Sequence, residues 1–288
     1  MATNGCFGDT VFEWLVRNRF DLTISFDGPL DIQNYQRPFR NGSESHDVVK
    51  NNILRFVERG IQFGVRSTIT ADVVSRLCEI VQYISSLGVK FIHLEPCSEV
   101  GRCMLSGTKQ PHLRNFLDNF MQAFPLAVQS GVHLMISSLR ATEYPHNRFC
   151  GACGSNLAIT PEGYLTTCFE VVRPADPASE HFFVGQVSKR KDKLVTVKIN
   201  QEKLGSTAAR TVENIRDCSD CFAKYWCAGD CPVKAYRDTG SLYQMSPERC
   251  SFIKETNEKI VRMVLDEEYL PSSQVSIVKY EGDGHNEV

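Results

Sequence analysis

The sequence predicts an α/β fold with parallel strands, followed by a smaller α+β domain rich in cysteine. Three observations lead there. The first hundred residues alternate strand-like apolar patterns with amphipathic helical ones. A hairpin pattern with a Pro-Glu-Gly turn follows near residue 160. Eight of the twelve cysteines lie from Cys150 onward.

Residues 22–26 (LTISF) alternate apolar and small polar side chains, as a strand does, and Asp27-Gly28-Pro29 ends them with turn chemistry. A polar loop and a helix over about 45–59 are expected next; Val49, Ile53, Phe56 and Val57 share one face and Gly60 stops it. Residues 62–70 read as a second strand. A second helix has Asp72 as its expected N-cap, Leu77, Ile80, Val81 and Ile84 as its stripe, and Gly88 as its end. Residues 91–94 form the third strand. This order implies parallel strands joined by right-handed crossovers, with ligands at the carboxyl ends of the strands. Ser25, Asp27, Thr70 and Glu95 lie at those ends. Three parallel strands are few, so the strand at residue 22 is expected to stand at an edge or to need partners that the chain lacks, as if the chain started partway through a fold. A helix over about 110–128 carries Leu113, Leu117, Phe120 and Phe124, with Pro125 expected to end or kink it, and reads as a connector.

The domains expected are thus 1–108 (a partial β/α barrel), 109–145 (helical connector), 146–255 (cysteine-rich domain) and 256–288 (a helix end and a mobile tail). In the cysteine-rich domain, 156–160 and 164–168 read as a hairpin around Pro161-Glu162-Gly163, which swings Cys168 towards Cys150 and Cys153. A short strand is expected over 182–187.

The whole chain has 288 residues, 42% of them hydrophobic, and a formal net charge of −2. With no basic run, nucleic-acid binding through phosphates is not expected. No stretch approaches twenty apolar residues, so no membrane span is expected. The N-terminus lacks a basic start and an apolar core, so it does not read as a signal peptide. Twelve cysteines without a secretion signal point to a reduced, cytoplasmic setting, where thiols serve as metal ligands more often than as disulfides.

The densest thiol run is Cys218-x2-Cys221-x5-Cys227-x3-Cys231-Pro232. Short Cys-x-x-Cys turns let sulfurs converge, and Gly229 allows a bend between the last two. A run ending C-x3-C-P gives its last cysteine to a different cluster in ferredoxins. Zinc sites use similar pairs, preferring two separated knuckles. The residues therefore favour iron–sulfur while leaving a zinc-stabilised structural protein open. Cys78 reads as core, and Cys97 and Cys103, at C-x5-C spacing, as possible extra ligands.

Cys150-x12-Gly163-x4-Cys168, the Cys218–Cys231 run and Cys250 together resemble the seven-cysteine pattern of the SPASM domain, which follows the barrel in one branch of radical S-adenosylmethionine (radical SAM) enzymes. Thr3-Asn4-Gly5, Ser25-Phe-Asp-Gly-Pro29 and Tyr35-Gln-Arg37 resemble the middle strands of that barrel. The resemblance implies two auxiliary 4Fe-4S clusters. Cys150, Cys168 and Cys231, with Cys153 as fourth ligand, would hold the first; Cys218, Cys221, Cys227 and Cys250 would hold the second. Ser25 and Arg37 match positions near the ribose and carboxylate of S-adenosylmethionine. It further implies radical modification of a peptide or protein substrate, and an electron donor such as a flavodoxin or ferredoxin.

Two departures stand out. The family's C-x3-C-x2-C, which binds the catalytic cluster, is absent, as is its GGEP-type stretch; both would precede Thr3. The expectation is therefore the carboxyl-terminal part of such an enzyme, inactive by itself, or else a non-catalytic electron-transfer or peptide-binding module. Sulfatase-maturing relatives place Asp directly after the hairpin cysteine, whereas Phe169-Glu170 follows Cys168 here. That shifts the expected substrate towards a ribosomally made peptide.

Overall fold

A computed structural model describes residues 1–98, 103, 107–139, 145–189 and 195–265. Strand β1 (Ala2–Thr3) leads through helix α1 (Asp9–Arg17) to β2 (Leu22–Ser25). Helices α2 (Leu30–Gln36) and α3 (His46–Glu58) precede β3 (Phe63–Ile69). Helix α4 (Leu77–Ser86) leads to β4 (Phe91–Pro96), and α5 (Leu113–Gln129) to β5 (His133–Met135). The five strands lie in sequence order, each parallel to its neighbour.

The strand at residue 22 is thus interior rather than an edge. The Thr23 N–H donates to the Met1 carbonyl at 2.9 Å, which brings β1 against it. At the other side β5 pairs with β4, so the helix expected as a connector is the crossover into a fifth strand. Both added strands are too short to carry a period. Pro125 does not end its helix, which runs on to Gln129. Nor is Asp72 an N-cap: residues 74–76 make one 3-10 turn, and α4 starts at Leu77. The expected polar loop contains α2, whose Gln33 is buried because its amide accepts from the Asp27 N–H at 2.8 Å and donates to Ser45 at 3.0 Å.

Along β2, β3 and β4 alternate side chains are buried, because successive residues point to opposite faces. Leu22, Ile24, Val65, Ile69, Ile92 and Leu94 meet Val49, Ile53 and Phe56 of α3, Ile80, Val81 and Ile84 of α4, and Phe116, Leu117 and Phe120 of α5 in one core. Each such side chain contributes about 1.5–3 kcal/mol. The other face carries Ser25, Arg66, Thr68, His93 and Glu95, which are not fully buried.

The cysteine-rich region holds a second, antiparallel sheet of β6 (Ala158–Ile159), β7 (Tyr164–Thr166), β8 (Phe183–Lys189) and β9 (Val195–Ile199). The first two form the expected hairpin, with shorter strands. Gly163 has φ +87°, and a Cβ there would meet the Val187 carbonyl at 2.7 Å, so only glycine fits. The short helix α6 (Ser179–Phe182) leads into β8; α7 (Gln201–Ala208), α8 (Lys224–Cys227) and α9 (Pro232–Thr239) follow β9, then α10 (Pro247–Leu265). Helix α10 returns to α5, where Phe252 meets the edge of Phe116 at 6.0 Å between centroids. Among the described residues no helix is long and apolar enough to cross a membrane. The expected tail beyond residue 270 lies outside the described residues.

Candidate functional site

A cavity of about 550 Å³ opens at the carboxyl ends of β2, β3 and β4. The sheet supplies Asp27, Arg66, Thr68, Thr70 and Glu95; the region after α2 supplies Arg37; the cysteine-rich domain supplies Glu170 and Lys234. Of the four strand-end residues named from the sequence, Asp27, Thr70 and Glu95 line the wall. Ser25 does not: it ends β2, half-buried, in register with Arg66. Arg66 and Thr68 were legible from the period of two, since they share the polar face with the strand-end groups. Lys234 had no such signal.

Arg37 is held from two directions. Its Nε donates to the buried Asp27 carboxylate at 2.7 Å, and a terminal nitrogen donates to the Thr68 hydroxyl at 3.0 Å. The other Asp27 oxygen accepts from the Thr68 N–H at 2.8 Å. The loop is closed by the Ser45 hydroxyl, which donates to the Arg37 carbonyl at 2.6 Å. The guanidinium therefore keeps a fixed position at the cavity wall, suited to an anionic group.

Glu95 lies across the same cavity. Its carboxylate accepts from the Ser137 hydroxyl at 2.5 Å and meets His93 Nε2 at 3.0 Å and Lys234 Nζ at 3.3 Å. Burial by itself would raise the Glu95 carboxyl, but His93, Lys234 and Ser137 outweigh it and hold it well below the usual carboxylate range. Lys234 stands on α9, so this ion pair ties the cysteine-rich domain to the sheet at the cavity.

The thiols sort into two apolar groups. Cys218 and Cys227 are buried in the large core, with Cys250 packed against it. Cys168 belongs to a separate small core of Ala152, Val171, Ala178, Phe182, Val233 and Leu242, against which Cys150 and Cys231 pack. Cys153 is buried but belongs to neither group, and Cys221 is half-buried. Electrostatics links members within each group. Burial pushes the Cys218 thiol up to about 11, helped by Cys221 and Cys250. Cys227 is pushed well above the thiol range by burial, with Asp230 and Cys218 adding to it. Burial takes Cys168 to about 11, with Cys150 a minor contributor, and Cys231 to about 12. Such thiols stay neutral unless a cation replaces their protons. Among the described residues no three His, Cys, Asp or Glu side chains close on a point as one metal ion requires. A four-iron cluster sets one thiolate on each iron and so holds its sulfurs farther apart.

The split between the groups is made in three residues. Ala228, Gly229 and Asp230 all have left-handed φ, at +52°, +74° and +52°. For the two non-glycines this costs about 1–2 kcal/mol each. The turn is held by Arg210, 1% exposed, which donates to the carbonyls of Gly229 (2.6 Å), Asp230 (3.0 Å) and Leu242 (2.6 Å). Arg249 clamps the Asp230 carboxylate at 2.5 and 2.9 Å. Cys227 and Cys231 thereby leave the turn towards different cores. Neither arginine was singled out from the sequence.

No family model matches the chain. In sequence it is similar to the serine-type anaerobic sulfatase-maturating enzyme of Klebsiella aerogenes, 21% identical over 247 residues, which cover 81% of this chain and 57% of that protein. The chain thus spans a little over half of that curated relative. In structure it is similar to native anSMEcpe with bound AdoMet, at TM-score 0.65 and 18% identity, over 92% of this chain and 73% of that one. The same protein with bound AdoMet and the Cp18Cys peptide gives TM-score 0.61 at 17% identity, over 92% and 74%. Streptococcus suis SuiB bound to S-adenosylmethionine gives 0.50 at 13% identity, over 86% and 58%. This chain, with a parallel sheet of five strands followed by an antiparallel sheet of four within a cysteine-rich region, thus has the radical SAM/SPASM fold of anSMEcpe.

Proposed function

We propose that this chain binds S-adenosylmethionine at the sheet cavity, holds two auxiliary 4Fe-4S clusters, and serves the radical modification of a peptide or protein segment. The partition of the thiols into two buried groups carries this reading. The large-core group (Cys218, Cys227, Cys250, with the coupled Cys221) and the small-core group (Cys150, Cys168, Cys231) are the sets that the family resemblance implies. Cys153, buried two residues beyond Gly151, is the proposed fourth member of the small-core set. The clusters would supply one-electron transfer. The raised thiols fit that cargo, because iron supplies the positive charge that makes ionisation favourable inside a core.

Arg37, braced by Asp27 and Thr68, is proposed to pair with the S-adenosylmethionine carboxylate; Ser25, which does not line the cavity, is given no contact. Glu170 and Lys234 reach the same cavity from the cysteine-rich side, so a peptide entering it would meet groups from both domains. Among the neighbours, anSMEcpe is solved with the Cp18Cys peptide and SuiB with the precursor peptide SuiA. The Klebsiella relative is a sulfatase-maturating enzyme, so the likeness does not favour a ribosomal peptide over a sulfatase. The substrate is therefore proposed only as a peptide or protein segment, with a flavodoxin- or ferredoxin-type electron donor. The sequence carries no C-x3-C-x2-C, and the catalytic cluster is not assigned to this chain.

Anaerobic reconstitution with iron and sulfide tests this. Iron and acid-labile sulfide sufficient for two 4Fe-4S clusters are expected. Cys227→Ala and Cys231→Ala should each remove about half, and the double variant nearly all. Zinc without labile sulfide, or unchanged iron in both single variants, would overturn the reading.

A further inference from the structure

Cys97 and Cys103 stand apart from both thiol groups and have no part in the proposal above. Cys97 directly follows β4, its N–H bonded to the Ile69 carbonyl at 2.8 Å, so its backbone is anchored to the sheet. Its sulfur lies 3.6 Å from that of Cys103, close to van der Waals contact. The Cys97 thiol donates to the Lys109 carbonyl at 3.5 Å and the Cys103 thiol to the Thr108 carbonyl at 3.1 Å. Lys109 is in turn pinned by the Ala71 N–H at 2.9 Å. Both cysteines are thiols here, Cys97 buried and Cys103 half-buried, and both line the sheet cavity.

We propose that Cys97 and Cys103 form a reversible redox dithiol in the cavity wall, whose reaction partner is a low-molecular-weight disulfide. Bringing the sulfurs from 3.6 Å to the bonded distance of about 2 Å needs a displacement of about 1.5 Å, well within side-chain rotation. Cys103, the more exposed, loses its proton to solvent and attacks the small disulfide. One thiolate leaves, and a mixed disulfide remains on Cys103. Cys97 then loses its proton and attacks the Cys103 sulfur, expelling the second thiolate. The pair gives up two electrons and two protons; the small disulfide takes both up and becomes two thiols. The new bond joins the end of β4 to the segment leading into α5, across the wall that Glu95, Thr108 and Lys234 share.

The test equilibrates the reconstituted full chain with mixtures of reduced and oxidised glutathione, traps thiols by alkylation, and maps tryptic peptides. Cleavage after Lys90, Arg102 and Lys109 puts Cys97 and Cys103 on separate peptides, so their bond is read directly as a linked pair. The two should leave the alkylated pool together, appear as that linked species, and return with dithiothreitol. In Cys97→Ser, Cys103 should instead retain a glutathione adduct. Phenylarsine oxide, which bridges neighbouring thiols, should protect both from alkylation in the unmodified chain. Independent alkylation of the two, a lasting adduct on Cys103 of the unmodified chain, or a bond to any other cysteine would overturn the proposal.

Discussion

Around the parallel sheet the buried residues form one apolar mass, from Phe12 on α1 to Ile260 on α10. Around the antiparallel sheet the buried set is small: among the described residues Phe182 is its one aromatic, and alanines fill two of its positions. The first region is held by side-chain volume. The second has little volume to bury; Cys168 lies in it with Cys150 and Cys231 packed against it, and Arg210 holds the carbonyls of the adjoining turn. With the proposed clusters bound, this region would draw folding free energy from them, because their sites do not exist in the unfolded chain. The two regions should therefore respond differently to the same treatment, and Cys218 and Cys227, seated in the larger core, should respond less to metal removal than Cys150, Cys168 and Cys231.

The sharpest contrast comes from Phe56, fully buried and packed against Phe12 at 4.6 Å and Phe63 at 5.5 Å between centroids. Phe56→Ala should cost about 3–5 kcal/mol in urea unfolding, by the same amount with and without iron. A cost that depended on iron would mean that the sheet region is not independent of the clusters. Next comes Arg210→Leu, which leaves the carbonyls of Gly229, Asp230 and Leu242 without their donors. A loss of about 3 kcal/mol is expected. Hydrogen exchange should quicken in residues 227–239 and not in β3; uniform quickening would break the comparison.

A smaller effect is expected at the cavity. Asp27→Asn keeps an acceptor for Arg37 but removes the charge that fixes it. S-adenosylmethionine affinity, read by calorimetry, should fall about tenfold, equivalent to about 1.4 kcal/mol, with the fold unchanged. An unaltered affinity would remove Arg37 from the proposed contact.

The smallest effect is at the junction of the regions. Glu95 has a lowered pKa in the fold, so the unfolded chain binds its proton first as pH falls. Its contribution is present above the ordinary value of about 4.3 and is lost as pH drops through the folded value. Glu95→Gln should cost about 1 kcal/mol at neutral pH, where it leaves Lys234 without its carboxylate, and progressively less in acid. Parallel pH–stability curves for the two proteins would show that the Glu95–Lys234 pair does not couple the regions.

From the sequence alone came the faces of the longer strands and helices, which local periodicity carries, though not α1 or α2. Apolar residues at 49, 53 and 56 specify the buried face of α3, because a helix returns to the same side every three to four residues. The alternation in β3 specifies its two faces, and the cysteine intervals carry the resemblance with which the fold agrees. Tertiary structure alone decided the rest. Strands β1 and β5, two and three residues long, exist only because a neighbouring strand offers hydrogen bonds. Glu95 and Lys234 are separated by 139 positions, and no short-range pattern couples them. The division of the thiols hangs on a left-handed turn whose φ angles are stabilised by Arg210 and Arg249, side chains from outside that turn. Spacing brings cysteines near one another along the chain, but which core each sulfur enters is set by long-range packing.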